Sequence, residues 1–136
     1  MLNDSHCHLN YKGLVEDQKN VIERARMAGV DLMLNIATSA SEWDAVLATA
    51  IAEPDVWATV GIHPHEADDH AHIDTAKLVE RAAHPRVVGI GETGLDYYYD
   101  HSDRERQQRS FRAHIAVSRS TGLPVIVHTR DAEEDT

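Results

Sequence analysis

The sequence predicts an α/β fold, a (β/α) repeat with parallel strands of the barrel or doubly wound kind. Two observations lead there. Five short apolar runs alternate with helical patterns along the 136 residues, the order that right-handed crossovers onto a parallel sheet require. Four of those runs lead into a histidine or a carboxylate: His6-Cys7-His8, His63-Pro64-His65, Glu92 and His128. Parallel strands deliver their C-terminal ends to one edge, which is where such folds carry their functional residues.

The first run, Met1 to Asp4, is short. A helix follows over roughly 14–28, with Val21, Ile22, Ala25 and Ala28 on one face and Gly29 placed to stop it. Val30 to Ala37 is the second run. Ser39-Ala40-Ser41-Glu42 then has the pattern of a capping box, opening a helix expected to bury Trp43, Val46, Leu47, Ala50 and Ile51. Pro54-Asp55 breaks that helix, and Val56 to Ile62 is the third run. Beyond a polar loop over 66–72, a helix near Thr75 to Ala83 stops at His84-Pro85, since the residue before a proline disfavours helical backbone. The fourth run opens at Val87 and carries Glu92. A long amphipathic helix over about 103–121 sets Phe111, His114, Ile115 and Ser118 on one side, and Gly122 ends it. Leu123 to Val127 is the fifth run. The acid-rich stretch from Asp131 to Thr136 suits the first turn of a further helix. The expectation is one domain over 1–136, truncated at its C-terminal side and holding about five of the eight βα units of a closed barrel.

Composition narrows the function. A hydrophobic content of 42% fits a soluble globular protein, and no apolar run approaches a membrane span of about 20 residues. The start of the chain lacks a basic segment and an apolar signal core, so export is not expected. One cysteine, Cys7, forms no internal disulfide and suits a reducing cytosol, which makes the expected location cytoplasmic. A net charge of -10 argues against a broad basic footprint for nucleic acid. A bound cation would supply locally the positive charge that composition lacks.

Chemistry gathers at the strand ends. Glu92, at the exit of a buried run, is costly to bury without a cation or a proton. His6 and His8 point to the same side of an extended strand and reach one ion together. Alone, that pair is weak, because ten histidines also produce His63/His65 and His70/His72. The last pair lies in a polar loop and reads as solvated. Glu92 alone reads as a rim carboxylate beside an arginine, and His128 alone as a core histidine. Together, His6, His8, Glu92 and His128 on one edge fit a metal site better, and a carboxylate that bridges two cations is a device of two-metal hydrolases. Nucleophilic catalysis finds less support. Cys7 alternates away from its histidine neighbours into packing, and no G-x-S-x-G elbow is present. Gly89, Gly91 and Gly94 lack the spacing of a dinucleotide fingerprint. Tyr97, Tyr98 and Tyr99 suit either stacking on bases or rim packing under the long helix.

Four segments, Asp4-Ser5-His6-Cys7-His8-Leu9, Val60-Gly61-Ile62-His63-Pro64-His65, Ile90-Gly91-Glu92-Thr93-Gly94-Leu95-Asp96-Tyr97-Tyr98 and Leu123 to Ala132, resemble the TatD family of metal-dependent deoxyribonucleases. Glu105-Arg106-Gln107-Gln108 with Phe111 is similar to it as well. The resemblance spans the whole chain. It implies a TIM barrel related to the amidohydrolases, with a divalent-metal centre that hydrolyses DNA phosphodiesters, single strands or 3′ ends among them. It implies that His6 and His8 bind a first metal, that Glu92 bridges two and is catalytic, and that His128 binds the second. His63 and His65 would then contact substrate phosphate, with Asp96, Tyr97 and Arg130 lining the same mouth. Magnesium or manganese is the expected activating ion, while an imidazole-rich set also suits zinc or nickel. The family's further ligands, a histidine after strand six and an aspartate after strand eight, have no counterpart in residues 1–136. Weaker metal binding and poorer activation of water are therefore expected of this chain. A small-molecule amidohydrolase and an inactive half-barrel that self-associates through open sheet edges are the alternatives.

Overall fold

A computed structural model describes residues 1–72 and 74–136. The described residues form five strands in one parallel sheet: β1 (Leu2–Cys7), β2 (Val30–Asn35), β3 (Val56–Val60), β4 (Val87–Asp96) and β5 (Val125–Arg130). They are hydrogen-bonded in sequence order, β1-β2-β3-β4-β5. The helices between them are α1 (Gln18–Met27), α2 (Trp43–Ala52), α3 (Thr75–Ala82) and α4 (Arg104–Thr121). The sheet curls into a half-barrel, as the alternating pattern implies.

Local chemistry sets the helix bounds. Asp74 opens α3 by accepting the N–H groups of Ala76 and Lys77, and Asp103 opens α4 by accepting that of Arg106. Gly122 closes α4 at φ 76°, its N–H donating to the Ser118 carbonyl. The capping box at Ser39 does not form: α2 has Glu42 at its cap, and the Ser39 hydroxyl pairs with that of Ser41. Glu42 instead reaches back to the amide and hydroxyl of Thr38, tying the loop after β2.

Between sheet and helices lies the core, with Ile22, Val46, Ala50, Val56, Val60, Leu78 and Ile90 among its buried members. Trp43 joins it and donates its indole N–H to the Gly61 carbonyl. Two side chains expected inside lie outside: Ile51 is 60% exposed and Ile115 37%, because α2 and α4 bury only the stripe that faces the sheet. The long helix buries Gln107, Ser110, Phe111, His114 and Val117 instead. The edge strands β1 and β5 have a neighbour on one side only and are correspondingly exposed. Among the described residues, no helix is long and apolar enough to cross a membrane.

Candidate metal centre

Strand register builds the site. On β4, Glu92, Gly94 and Asp96 alternate onto one face, and Gly94 pairs with His128 of β5. The His128 ring is thereby held between two carboxylates, with Nδ1 at 3.2 Å from Glu92 Oε1 and Nε2 at 3.0 Å from Asp96 Oδ2. The close approach demands glycine, since a Cβ on Gly94 would run into the His128 carbonyl oxygen. Gly94 also sits at φ 137°, where L side chains rarely go.

From the other end of the sheet, β1 brings His6 Nε2 to 3.2 Å and His8 Nε2 to 3.7 Å from Glu92 Oε2. Glu92, buried to 7% exposure, thus presents one oxygen to His6 and His8 and the other to His128. Its backbone is fixed by an N–H that donates to the Ala37 carbonyl. In two groups, His6/His8/Glu92 and His63/Glu92/His128, one ligand atom from each residue lies within 4.8 Å of the others.

Hydrogen bonds select the tautomers. His8 donates its Nδ1–H to the Ile36 carbonyl at 3.2 Å, which leaves the Nε2 lone pair facing Glu92. Burial pulls the His8 pKa below its usual value and keeps the ring neutral, as a ligand must be. His128 lies between two carboxylates; with its proton on Nε2 and donated to Asp96, Nδ1 offers its lone pair to a cation beside Glu92. A carboxylate behind a ligating imidazole is the usual way to fix its orientation and raise its basicity. Asp96 is fully buried. Burial opposes its ionisation, yet the Tyr99 amide and the His65 and His128 rings hold its carboxyl down at about 2.

His63 differs from the rest of its group. Its Nδ1 accepts the backbone N–H of His65 at 3.1 Å, and burial with the neighbouring His128 and His65 drives its pKa down to about 3. A neutral ring that accepts at Nδ1 carries its proton on Nε2. That Nε2–H lies 3.3 Å from His128 Nδ1 and 3.9 Å from Glu92 Oε1. His63 is placed among ligand atoms but presents a donor.

The other expected residues divide. His65 Nε2–H donates to Asp96 Oδ2 at 2.8 Å, which joins it to the centre. Arg130 lies with its guanidinium over the Tyr98 and Tyr99 rings. Tyr97 is not brought to the cluster: it packs beside Leu95, Phe111 and Ala132, and its hydroxyl donates to Asp135 at 2.8 Å. Cys7 turns away from its neighbours, its thiol donating to the Leu34 carbonyl, and burial pushes its pKa up to about 12. Such a thiol is no nucleophile at neutral pH.

Sequence reasoning gave no role to several supports. Tyr11 stacks on His8 at 4.3 Å. Gln107 clamps Asp96, accepting its N–H and donating to its carbonyl. The Thr38 carbonyl takes the His63 N–H at 2.7 Å. Asp96, expected to line the substrate mouth, is fully buried: Oδ2 takes the rings of His65 and His128, and Oδ1 accepts the amides of Tyr98 and Tyr99 at the turn after β4.

The sequence profile described as "TatD related DNase" matches residues 3–136. The chain belongs to this family. Among its TatD-family relatives, it is 37% identical over 135 residues to the uncharacterized metal-dependent hydrolase YabD of Bacillus subtilis, covering 99% of this chain and 53% of that protein. It is 39% identical over 132 residues to the 3′-5′ ssDNA/RNA exonuclease TatD of Erwinia tasmaniensis, covering 96% and 51%. The crystal structure of YJJV, a TatD homologue from Escherichia coli, superposes with a TM-score of 0.83 at 29% identity, covering 98% of this chain and 52% of that one. The chain therefore spans about half the length of the relatives it matches. The donor set fits a divalent cation: the imidazoles of His6, His8 and His128 gather around one buried carboxylate, with His8 and His128 oriented by hydrogen bonds.

Proposed function

We propose that these residues form the first part of a TatD-type hydrolase that cleaves single-stranded DNA, or strands from their 3′ ends, at its phosphodiester bonds with a water activated at a two-cation centre. The observation that carries this reading is Glu92, whose two oxygens face two separate sets of histidine nitrogens. His6, His8 and Glu92 would hold one cation, and Glu92 with His128 a second, with ligands from beyond residue 136 or from another polypeptide completing it. Magnesium or manganese is the proposed activating pair, with zinc or nickel able to take the same donors. Bound there, the cations supply Lewis-acid polarisation of the phosphoryl group and of the attacking water.

The chain's own residues do the rest. Glu92 sets the spacing of the two ligand sets and is the catalytic carboxylate. Asp96 holds His65 and His128 with their Nε2 protons turned towards it. His63 keeps a proton on Nε2 at the edge of the ligand cluster, where it suits a phosphate oxygen as hydrogen-bond partner. Arg130 supplies a fixed positive charge on the same rim as His128. Relatives named as ssDNA/RNA exonucleases support a nucleic-acid substrate over a small amide or lactone. A single cysteine, Cys7, suits a cytosolic setting, in which thiols stay reduced. Self-association through β1 and β5, each with one open side, is a second proposed property, which a strictly monomeric mass in solution would rule out.

The test is shortening of a short single-stranded oligonucleotide by this chain with Mn²⁺ or Mg²⁺, beside Glu92→Ala. Metal-dependent cleavage in the wild type and none in the variant is expected. Equal cleavage by both proteins, or hydrolysis of amide and lactone substrates in place of DNA, would overturn the reading.

A further inference from the structure

Two large aromatic side chains stand exposed beside the metal centre, Tyr98 at 56% and Tyr99 at 49% of their surface. They are not loosely held. The same carboxylate that orients the ligand histidine fixes their backbone: Asp96 Oδ1 accepts the Tyr98 N–H at 3.1 Å and the Tyr99 N–H at 2.9 Å, while Oδ2 accepts from His65 and His128. From β5, two residues beyond His128, Arg130 lays its guanidinium 4.1 Å from the Tyr98 centroid and 4.7 Å from that of Tyr99. Among the described residues, Arg130 has no carboxylate partner. On the other side, the His101 ring lies nearly parallel to Tyr99, at 6° and 5.5 Å. His65, itself bonded to Asp96, meets Tyr99 edge-on at 5.5 Å.

This is an assembly of flat, half-exposed π surfaces with one fixed cation already laid against them, tied to β4 and β5 at its two ends. Rim packing under α4 describes Tyr97, whose hydroxyl is taken by Asp135. It does not describe Tyr98 or Tyr99. Exposed rings interleaved with an arginine are what unpaired bases stack on, since every base offers a π face and a duplex offers none.

We propose that Tyr98, Tyr99 and Arg130 form a stacking platform that seats unpaired nucleobases of a single strand next to the phosphodiester at the metal centre. The inference rests on the phosphodiesterase reading above and adds what selects the strand. The platform binds through bases, whereas the metal centre and His63 bind through phosphate, so base and backbone contributions separate experimentally.

The test is fluorescence anisotropy of the 136-residue chain with a labelled thymidine octamer and with an abasic octamer of equal length and charge, both with phosphorothioate linkages that resist cleavage, in EDTA and with Mn²⁺, an ion that an imidazole-rich centre accepts. The thymidine strand should bind about tenfold or more tightly than the abasic strand. Tyr98→Ala should remove most of that advantage without weakening the abasic strand, and Tyr98→Phe, which keeps the π face, should restore it. Equal affinity for the two strands, or Tyr98→Ala weakening both alike, would overturn the platform while leaving the phosphodiesterase reading in place. Absence of binding by either strand with the cation present would remove both.

Discussion

Asp96→Asn is the perturbation that probes the centre most directly. The two sides of Asp96 have different partners: amide N–H donors of Tyr98 and Tyr99 at Oδ1, and ring nitrogens of His65 and His128 at Oδ2. In the variant the backbone donors retain the side-chain carbonyl oxygen, so the new NH₂ group faces the two rings. His128 must then offer a lone pair at Nε2, which moves its proton to Nδ1, the nitrogen beside Glu92. The ligand atom is lost to the wrong tautomer while the residue stays in place. Removing a partner that orients a ligating histidine costs 10–100-fold in metal affinity, or about 1.4–2.7 kcal/mol. Calorimetric titration with Zn²⁺ or Mn²⁺ at neutral pH reads this directly, and denaturant unfolding in EDTA checks the fold. Metal affinity within twofold of the wild type, in a folded variant, would refute the tautomer argument.

Other perturbations separate roles within the site and scaffold. His63→Ala should weaken binding of a short oligonucleotide by roughly 10-fold or more, the worth of one charge-assisted hydrogen bond, and change metal affinity far less; calorimetry showing equal losses would make His63 a ligand. His114 is buried, accepts the Ile62 N–H and donates to the Ser110 carbonyl, and burial lowers its pKa from 6.5 to about 4. The unfolded chain therefore binds the proton first, so this stability is present above pH 6.5 and lost as pH falls towards 4. Urea unfolding should show about 2 kcal/mol less stability at pH 5 than at pH 7 from this group, and a pH slope no shallower in His114→Gln would contradict it. Gly94→Ala puts a Cβ against the His128 carbonyl at φ 137°. It should destabilise by about 1–3 kcal/mol and weaken metal binding as β4 and β5 part, and an unfolding midpoint that does not move would count against the register argument.

Much of this was legible because period and punctuation carry it. Alternation of apolar runs with helical patterns gives the parallel order, and Asp103 with Gly122 bounds α4 within a residue. The convergence of His6, His8, Glu92 and His128 follows from strand polarity alone. What was hidden depends on contacts between distant residues. Ser39 has the letters of a helix cap, yet Glu42 bonds back to Thr38 and the helix starts without it. Ile51 looks like core by composition but lies on the solvent side of α2. The supports of the centre, Tyr11 behind His8 and Gln107 around Asp96, lie on other elements, with no local spacing to betray them.

The three positions Glu92, Gly94 and Asp96 explain why the site is ordered from within the chain. Two carboxylates on one strand face would repel if they met, and here they do not. The glycine between them admits β5 so closely that one imidazole fills the gap, with Nδ1 towards Glu92 and Nε2 towards Asp96. Because Asp96 is held at a pKa of about 2 and accepts four hydrogen bonds, it stays a fixed anion while Glu92 is left to meet a cation. One carboxylate is committed to the protein; on the function proposed above, the other is committed to the metal. The same commitment ties Tyr98 and Tyr99 to the centre, since the amides that satisfy Asp96 Oδ1 are theirs. Asp96→Ala, which removes both oxygens, should therefore disturb stacking and metal binding together, whereas Tyr98→Ala disturbs stacking alone. That asymmetry distinguishes a single ordered unit from two neighbouring sites.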